Sequence, residues 1–370
     1  MTEPVSTENG SVAPPESRFS GAESIAPAPT ERGWGKLLLA LAAFLILPAY
    51  PPFNAILPID QTMLLFVPAV AACALVGWWA GGRVYLALAW VAIAVLIAAR
   101  PSTVDPFHNL ARGWSLLLAG SFGLVCLFGM GPRLFARSLL ALSLTLMLAT
   151  AMSLLGPVTA SQASKTLADE FGRRNAEAVS AFNTVIAAHP KEWGDFVKQV
   201  PKFGDLSAEL TKDYRAISEV GVTVFPALLA LQSLAALALA WATYHRLSRT
   251  RLGAPLRPLR EFRFNDQLVW GLIVGLTIML LPTLTALSGV GENLLVFFGA
   301  LYAVRGLGVL SWFMAPGSLG ITMAVAFFTL WVPFINVFAA IAFMMIGIAS
   351  LALGLGDTWA DWRSRARPSS

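Results

Sequence analysis

The chain reads as an all-α polytopic bundle of transmembrane helices, about ten spans with a small extracytoplasmic helical insertion. Three observations carry that reading. Of its 370 residues, 56% are hydrophobic and only 13% charged, where a soluble domain has about 25% charged. Apolar runs recur about every 25 to 30 residues, each near the roughly 20 residues a helix needs to cross the hydrocarbon core. Stretches such as LLALSLTLMLATAMSLL also lack the two-residue alternation of a transmembrane barrel strand.

Spans are expected near 35–50, 61–80, 84–99, 112–131 and 138–157, and again near 217–244, 267–287, 293–313, 318–332 and 334–354. The stretch TLWVPFIN contains Pro333, which removes a backbone donor and marks either a tight turn or a kink. The count therefore lies between eight and ten. The chain divides into an N-terminal tail (1–34), a first transmembrane half (35–157), a cap (158–216), a second half (217–356) and an Arg-rich tail (357–370). The tail at 1–34 is rich in Pro, Ser, Gly and Glu, the composition of a disordered segment. Glu3, Glu8, Glu16, Glu23 and Glu31 precede the first apolar run, which is not the positive start of a cleavable signal peptide. Cys73 and Cys126 sit inside apolar runs, where a thiol behaves as a small hydrophobe and no disulfide is expected.

Orientation follows from the basic residues, since short cytoplasmic loops keep an excess of Lys and Arg. With both termini inside, the cytoplasmic segments hold Arg18, Arg32, Lys36, Arg83, Arg133 and Arg137, the loop set Arg246, Arg249, Arg251, Arg257, Arg260 and Arg263, and the tail set Arg363, Arg365 and Arg367. The short outside loops hold Arg100 and Arg112. A bacterial inner membrane with both ends cytoplasmic is the expected location.

The insertion at 158–216 is mixed in charge and broken by Pro190 and Pro201. Leu167, Phe171, Val179, Phe182 and Ile186 recur mostly at three- and four-residue steps, giving one apolar helical stripe that Pro190 ends. A second short helix, KEWGDFVKQV, follows, and a third runs from near Leu206 directly into the sixth span. The element is either a plain connecting cap, with Trp193 and Phe196 at the membrane surface, or a lid or docking surface over the bundle mouth.

Motifs of chemistry are missing. The three histidines, His108, His189 and His245, have no second ligand at metal spacing, and neither GxxxxGK[ST], GxSxG nor HExxH occurs. No catalytic residue, metal site or cofactor is assigned, and an enzyme is not expected. Arg305 stands out, about twelve residues into the eighth span, where a guanidinium costs about 3 kcal/mol or more unless it snorkels or is paired. Asp357 and Asp361, near the inner end of the last span, are candidate partners by depth, and Asp266 opens the seventh span. Arg305, Asp266, Asp357 and Asp361 are thus the candidate ligand-binding set; snorkelling of Arg305 and a salt-bridged cap at the last helix are the simpler readings. The six arginines from Arg246 to Arg263 are candidates for an acidic partner or anionic lipid headgroups, at about 1 kcal/mol per basic residue near the surface. Nucleic acid is not an expected partner.

The segments PLREFRFNDQLVWGLIVGL, ALYAVRGLGVLSWF and IGIASLALGLGDTWADWR resemble the C-terminal half of the YybS-like bacterial membrane family, a domain of unknown function, over roughly 217–363. The shared features are Phe262 and Arg263 leading in, the polar pair Asn265 and Asp266, the step Gly306 and Leu307, and the run Gly354, Asp357, Trp359. Arg305 and Asn265 depart from that pattern. The family is distantly similar to the substrate-binding subunits of energy-coupling-factor transporters. The resemblance implies a bundle that captures a small molecule near its outer face and relies on a separate ATPase module, the ligand itself remaining unnamed. A transporter-like binding or permease subunit is the first expectation. The alternative is a non-transporting scaffold that binds other proteins through its cap and Arg-rich loop. The two differ in whether Ser121, Ser143, Thr145, Thr277, Thr283, Thr285, Asn293 and Asn336 converge on a polar cavity.

Overall fold

The computed structural model describes residues 33–49, 54, 57–99, 105–131, 133–156, 159–199, 206–314, 318–329, 335–360 and 362. The N-terminal tail, Pro333, Asn336's side chain, Asp361 and the arginines of the C-terminal tail lie outside what is described. The described residues are helical throughout their regular structure. The first half comprises α1 (Trp34–Ile46), α2 (Met63–Trp79), α3 (Val84–Ala99), α4 (Pro106–Leu127) and α5 (Leu134–Leu155). The insertion holds α6 (Ala160–Ala188) and α7 (Pro190–Gln199). Then come α8 (Leu206–Leu247), α9 (Val269–Leu280), α10 (Ser288–Phe313), α11 (Ser318–Thr329) and α12 (Ile335–Ala360).

Among the described residues, four stretches are long and apolar enough to cross a membrane, Pro106–Leu127, Leu134–Leu155, Glu219–Leu247 and Pro282–Phe313. Shorter apolar helices occupy the other expected span positions. The seventh is cut short because Pro282 turns the chain into a 3-10 segment, Pro282–Leu287, before α10 begins.

Helix ends are written locally. α4 starts where Asp105 accepts the Phe107 amide at 2.9 Å, with Pro106 in the first turn. α2 and α4 stop alike, at Gly81 (φ +89°) and Gly129 (φ +63°). Gly82 N–H reaches the Gly77 carbonyl (2.8 Å) and Gly81 N–H that of Trp78 (2.9 Å); Met130 to Val125 (3.0 Å) and Gly129 to Cys126 (3.2 Å) repeat the pair. Each is the double bond of a left-handed helix stop, which only glycine adopts without strain.

α2 is buried on nearly all sides and forms the centre of the first half, with α3, α4 and α8 packed on it. α8 is the spine: it touches α2, α5, α6 and α10. A larger core of α2, α4 and α8 residues, including Phe122, Trp241 and Tyr244, is joined by α8 to a smaller one around Phe264, Leu301 and Tyr302. The second half is built on α10, which packs closely against α12 and α9.

Among the described residues two long helices carry an internal proline, and a neighbouring helix supplies polar groups at each. Pro68 in α2 has no N–H to give the Leu64 carbonyl, and the Ser115 hydroxyl of α4 donates to that carbonyl instead. In α8, at Pro226, the ladder pair Thr223 carbonyl and Ala227 N–H is split by Asn293 of α10. Its amide oxygen accepts from Ala227 N–H (2.8 Å) while its nitrogen donates to Thr223 O (2.8 Å) and Gly289 O (2.7 Å). A side chain inserted into the helix ladder is a recognised cause of a bend.

Several other polar residues of the spans bond within their own helix, while the Ser121, Thr243 and Ser350 hydroxyls have no partner among the described residues. Thr145 donates to Ala141 O, Thr277 to Ile273 O and Thr285 to Pro282 O. Asn293→Leu keeps volume but strands the Thr223 and Ala227 groups. It is expected to lower stability by about 1–3 kcal/mol, read as a lower melting temperature of the detergent-purified protein.

Candidate functional site

Two polar clusters lie within the bundle, one at each end. The end carrying Arg83, Arg133 and the arginine loop is the basic end; the end covered by α6 is the cap end.

At the basic end, a close helix crossing fixes Arg305. Gly306 of α10 and Gly354 of α12 face each other so tightly that a methyl on either would overlap the other helix's backbone, at Ser350 O or Tyr302 O. Glycine here serves close approach rather than flexibility. The crossing brings Arg305, 3% exposed, against the buried Asp357 near the C-terminal end of α12. Arg305 Nε donates to Asp357 Oδ2 (3.0 Å), Nη1 to Asp266 Oδ1 (2.5 Å) and Nη2 to the Asp357 carbonyl (3.3 Å). Its Cζ lies 5.5 Å over the ring of Phe264, itself edge-on to Tyr302 at 5.0 Å.

Asp266 sits in a 3-10 turn (Asp266–Leu268) leading into α9, with its side chain 59% exposed. Arg305 thus lies about 12 Å from the end of α10 by helical rise, linked on one side to a buried carboxylate and on the other to one that meets the interface. The guanidinium also offsets the cost of placing a carboxylate near a helix C-terminus. Of the four candidates read from sequence, the fold brings Arg305, Asp266 and Asp357 together, and Asp361 lies outside the described residues. Of the loop arginines, Arg249, Arg251, Arg257, Arg260 and Arg263 are exposed, while Arg246 is half-buried and donates to Ala242 O at 2.9 Å. The loop is pinned beneath them by Arg137 Nη1 to Leu252 O (2.7 Å) and Trp241 Nε1 to Ala254 O (3.1 Å).

The cap-end cluster is absent from the sequence-derived set. Its centre is Arg174 of α6, 1% exposed. Nε donates to Glu170 Oε1 (2.6 Å), Nη1 to Leu57 O (2.8 Å) and Asn54 O (3.3 Å), and Nη2 lies 3.4 Å from Asp60 Oδ1. The Phe107 ring closes one face, 4.9 Å from Cζ. Phe171 on the same helix is fully buried, edge-on to Phe225 at 6.0 Å and packed on Gly221 of α8.

Beneath Arg174, the non-helical residues 57–61 are held by Gln232 in the middle of the apolar part of α8. Ile59 N–H donates to Gln232 Oε1 (3.0 Å) and Gln232 Nε2 to Ile59 O (2.7 Å), so the side chain replaces a partner strand for one residue. Irregular backbone inside a membrane protein survives only where the protein itself satisfies it. Beside it, Trp114 Nε1 donates to Ser233 Oγ at 3.0 Å. The amide oxygens of Asn54 and Asn175 are buried and have no hydrogen-bond partner among the described residues.

Glu170 and Arg174 lie one turn apart on the apolar stripe of α6, and Gln232 interrupts the run ALLALQSLAALALA. Those were the available signals; charge on an apolar helical face and an amide in a span both need a buried partner.

Burial would raise the Glu170 carboxyl, but hydrogen bonds and charge from Arg173 and Arg174 outweigh it and hold the group below its ordinary range. Among the described residues, no three His, Cys, Asp or Glu gather as metal ligands.

The fold and these clusters define a multi-pass helical membrane protein whose polar groups are held inside the bundle. The family of predicted membrane proteins DUF2232, of unknown function, matches residues 40–351, and the chain belongs to it. The match takes in the N-terminal half as well, beyond the 217–363 stretch that carries the sequence resemblance. It ends before Asp357. No curated protein and no solved structure matches the chain.

Arg305→Ala leaves Asp357 buried without its cation and is expected to cost about 3–5 kcal/mol. Arg305→Lys recovers only part, since one ammonium cannot reproduce the planar fork on two carboxylates; thermal melts of both variants check this. A carboxyl held low in the folded state stabilises fully above its unfolded pKa, about 4.3, and loses that contribution as pH falls through the folded value. The wild-type melting temperature should therefore keep the Glu170 contribution from pH 8 to 5 and lose it below about pH 4. Glu170→Gln should be less stable near neutrality, with a shallower acid loss.

Proposed function

We propose that this protein is a non-enzymatic, transporter-like small-molecule-binding subunit of a bacterial inner membrane. In this reading the ligand is held at the cap end, the energy comes from a separate ATPase partner, and both termini are cytoplasmic. The observation that carries it is the pair of buried amide oxygens at the cap end, Asn54 and Asn175, which have no hydrogen-bond partner among the described residues. A binding subunit must keep hydrogen-bonding capacity in reserve inside an apolar bundle. Two free acceptors favour a ligand that presents N–H or O–H donors. The Arg305 network is different: its guanidinium is engaged by two carboxylates and a carbonyl, which supports a strut closing the α10–α12 crossing.

The orientation rests on the clustering of Arg83, Arg133 and the loop arginines at one end. The scaffold reading draws on one specific observation, the exposed arginines of a loop pinned by Arg137 and Trp241, a surface suited to an acidic protein or anionic headgroups.

The test is a thermal-shift screen of the detergent-purified protein against vitamins, nucleosides and amino acids, run on wild type, Asn175→Leu and Arg305→Lys. A ligand that binds only the folded state at 100 times its Kd adds about 2.7 kcal/mol. The expected hit raises the melting temperature of wild type and Arg305→Lys but not of Asn175→Leu. A hit lost only in Arg305→Lys moves the site to the basic end. No hit in any variant overturns the binding reading and favours the scaffold.

A further inference from the structure

A long groove opens on the membrane-facing side of the first half. α3 and α4 both pack on α2 but scarcely touch each other, and the trough between them has α2 as its floor. Small residues shape it, Ala71 on the floor, Ala94 and Ala98 on α3, and Ala119, Gly120 and Gly123 on α4, and its lining is almost wholly apolar. Leu75, Leu116 and Leu124 at its lips are exposed. It runs from Leu116 to Leu127 along α4 and from Pro68 to Trp79 along α2, about 16 Å in each case by helical rise.

Width decides what fits. A volume of about 650 Å³ over about 16 Å gives a section of about 40 Å², roughly half that of a helix about 10 Å across. An extended hydrocarbon chain is slender enough to lie in it.

Charge decides which lipid. The groove ends at Trp78, Trp79 and Leu127, at the basic end of the bundle. Beyond it lie the two glycine-stopped turns that carry Arg83 and Arg133, both exposed. Arg83 Nη1 is set by the Tyr85 hydroxyl at 2.6 Å. Trp79 and Phe128 are exposed beside these turns, as aromatic residues at a headgroup boundary are. Arg137, by contrast, is engaged with Gly131 O, Leu252 O and the Trp241 ring.

We propose that the α2–α3–α4 groove is a specific site for an anionic phospholipid of the leaflet on the basic side. One acyl chain lies in the trough, and the phosphate meets Arg83 and Arg133. The site is separate from the cap-end cluster and does not rest on the ligand reading above.

Native mass spectrometry of the full chain, released from nanodiscs of equal phosphatidylglycerol and phosphatidylcholine, tests it. Wild type is expected to retain one phosphatidylglycerol. Gly120→Phe, whose new side chain enters open space at that position, should lose it with the melting temperature little changed. Arg83→Ala with Arg133→Ala should keep a lipid but lower the preference for phosphatidylglycerol by roughly 30-fold, from about 1 kcal/mol per basic residue. Equal retention of the two lipids by wild type, undiminished retention by Gly120→Phe, or a second protein chain held in place of lipid would each overturn the proposal.

Discussion

Hydrocarbon offers no hydrogen bonds, and the architecture of this protein follows from that single constraint. Every backbone group freed by a proline, every irregular residue and every charge within the bundle has to be met by another part of the chain. Ser115 covers the carbonyl that Pro68 leaves, Asn293 takes both groups split at Pro226, and Gln232 acts as a one-residue strand for Ile59. Each of these side chains comes from a different helix than the group it satisfies. Polar residues that look scattered along the sequence are therefore the fasteners of the helix packing, and they fix which helices are neighbours.

The same constraint separates the two charged clusters. Around Arg305 the charges are met: a cation, two carboxylates, a carbonyl and an aromatic face meet at a crossing that Gly306 and Gly354 make possible, while the Tyr302 and Ser350 hydroxyls there have no hydrogen-bond partner among the described residues. Such a network is costly to break but adds little over an apolar equivalent, so it specifies geometry more than it adds stability. Around Arg174 the cation is held by Glu170 and by the Leu57 and Asn54 carbonyls, and the Asn54 and Asn175 amide oxygens have no hydrogen-bond partner among the described residues. An amide oxygen can only accept, where a hydroxyl can also turn to donate, and these two acceptors set the cap end apart. The Arg174 cluster also gives α6 a mechanical role, because Arg174 and Phe171 join the insertion to Asn54, Leu57 and Asp60, to α4 and to α8 at once.

The membrane-facing surface is governed by shape. α2 is buried nearly all round because three helices pack on it, and the scant packing between α3 and α4 leaves the trough. Small residues at 94, 98, 119, 120 and 123 keep it open.

Much of this was legible in the amino-acid order. Helix positions followed from runs of apolar residues and from stop signals, such as WWAGG and LFGMG, whose glycines close α2 and α4. Pro190 divides α6 from α7, and no break separates the end of the insertion from the apolar part of α8. Arg305 was conspicuous because an isolated cation in an apolar run has to find a partner. Depth named Asp357 and Asp361 as its candidate partners; Asp266 stood among the site candidates, and only the fold makes it a partner of Arg305. What depth cannot give is rotation. Whether Arg305 faces Asp357 or lipid depends on which side of α10 meets α12, and Gly306 and Gly354 settle that only once both helices are placed. Likewise Arg174 and Gln232 are ordinary residues until the fold stacks α6 over α8 and threads residues 57–61 between them. The sequence by itself determined which segments are helical and which charges need company, because those are properties of single segments in an apolar medium. Only the tertiary structure decided the pairings, because they join residues 39 to 173 positions apart, and nothing local encodes such contacts.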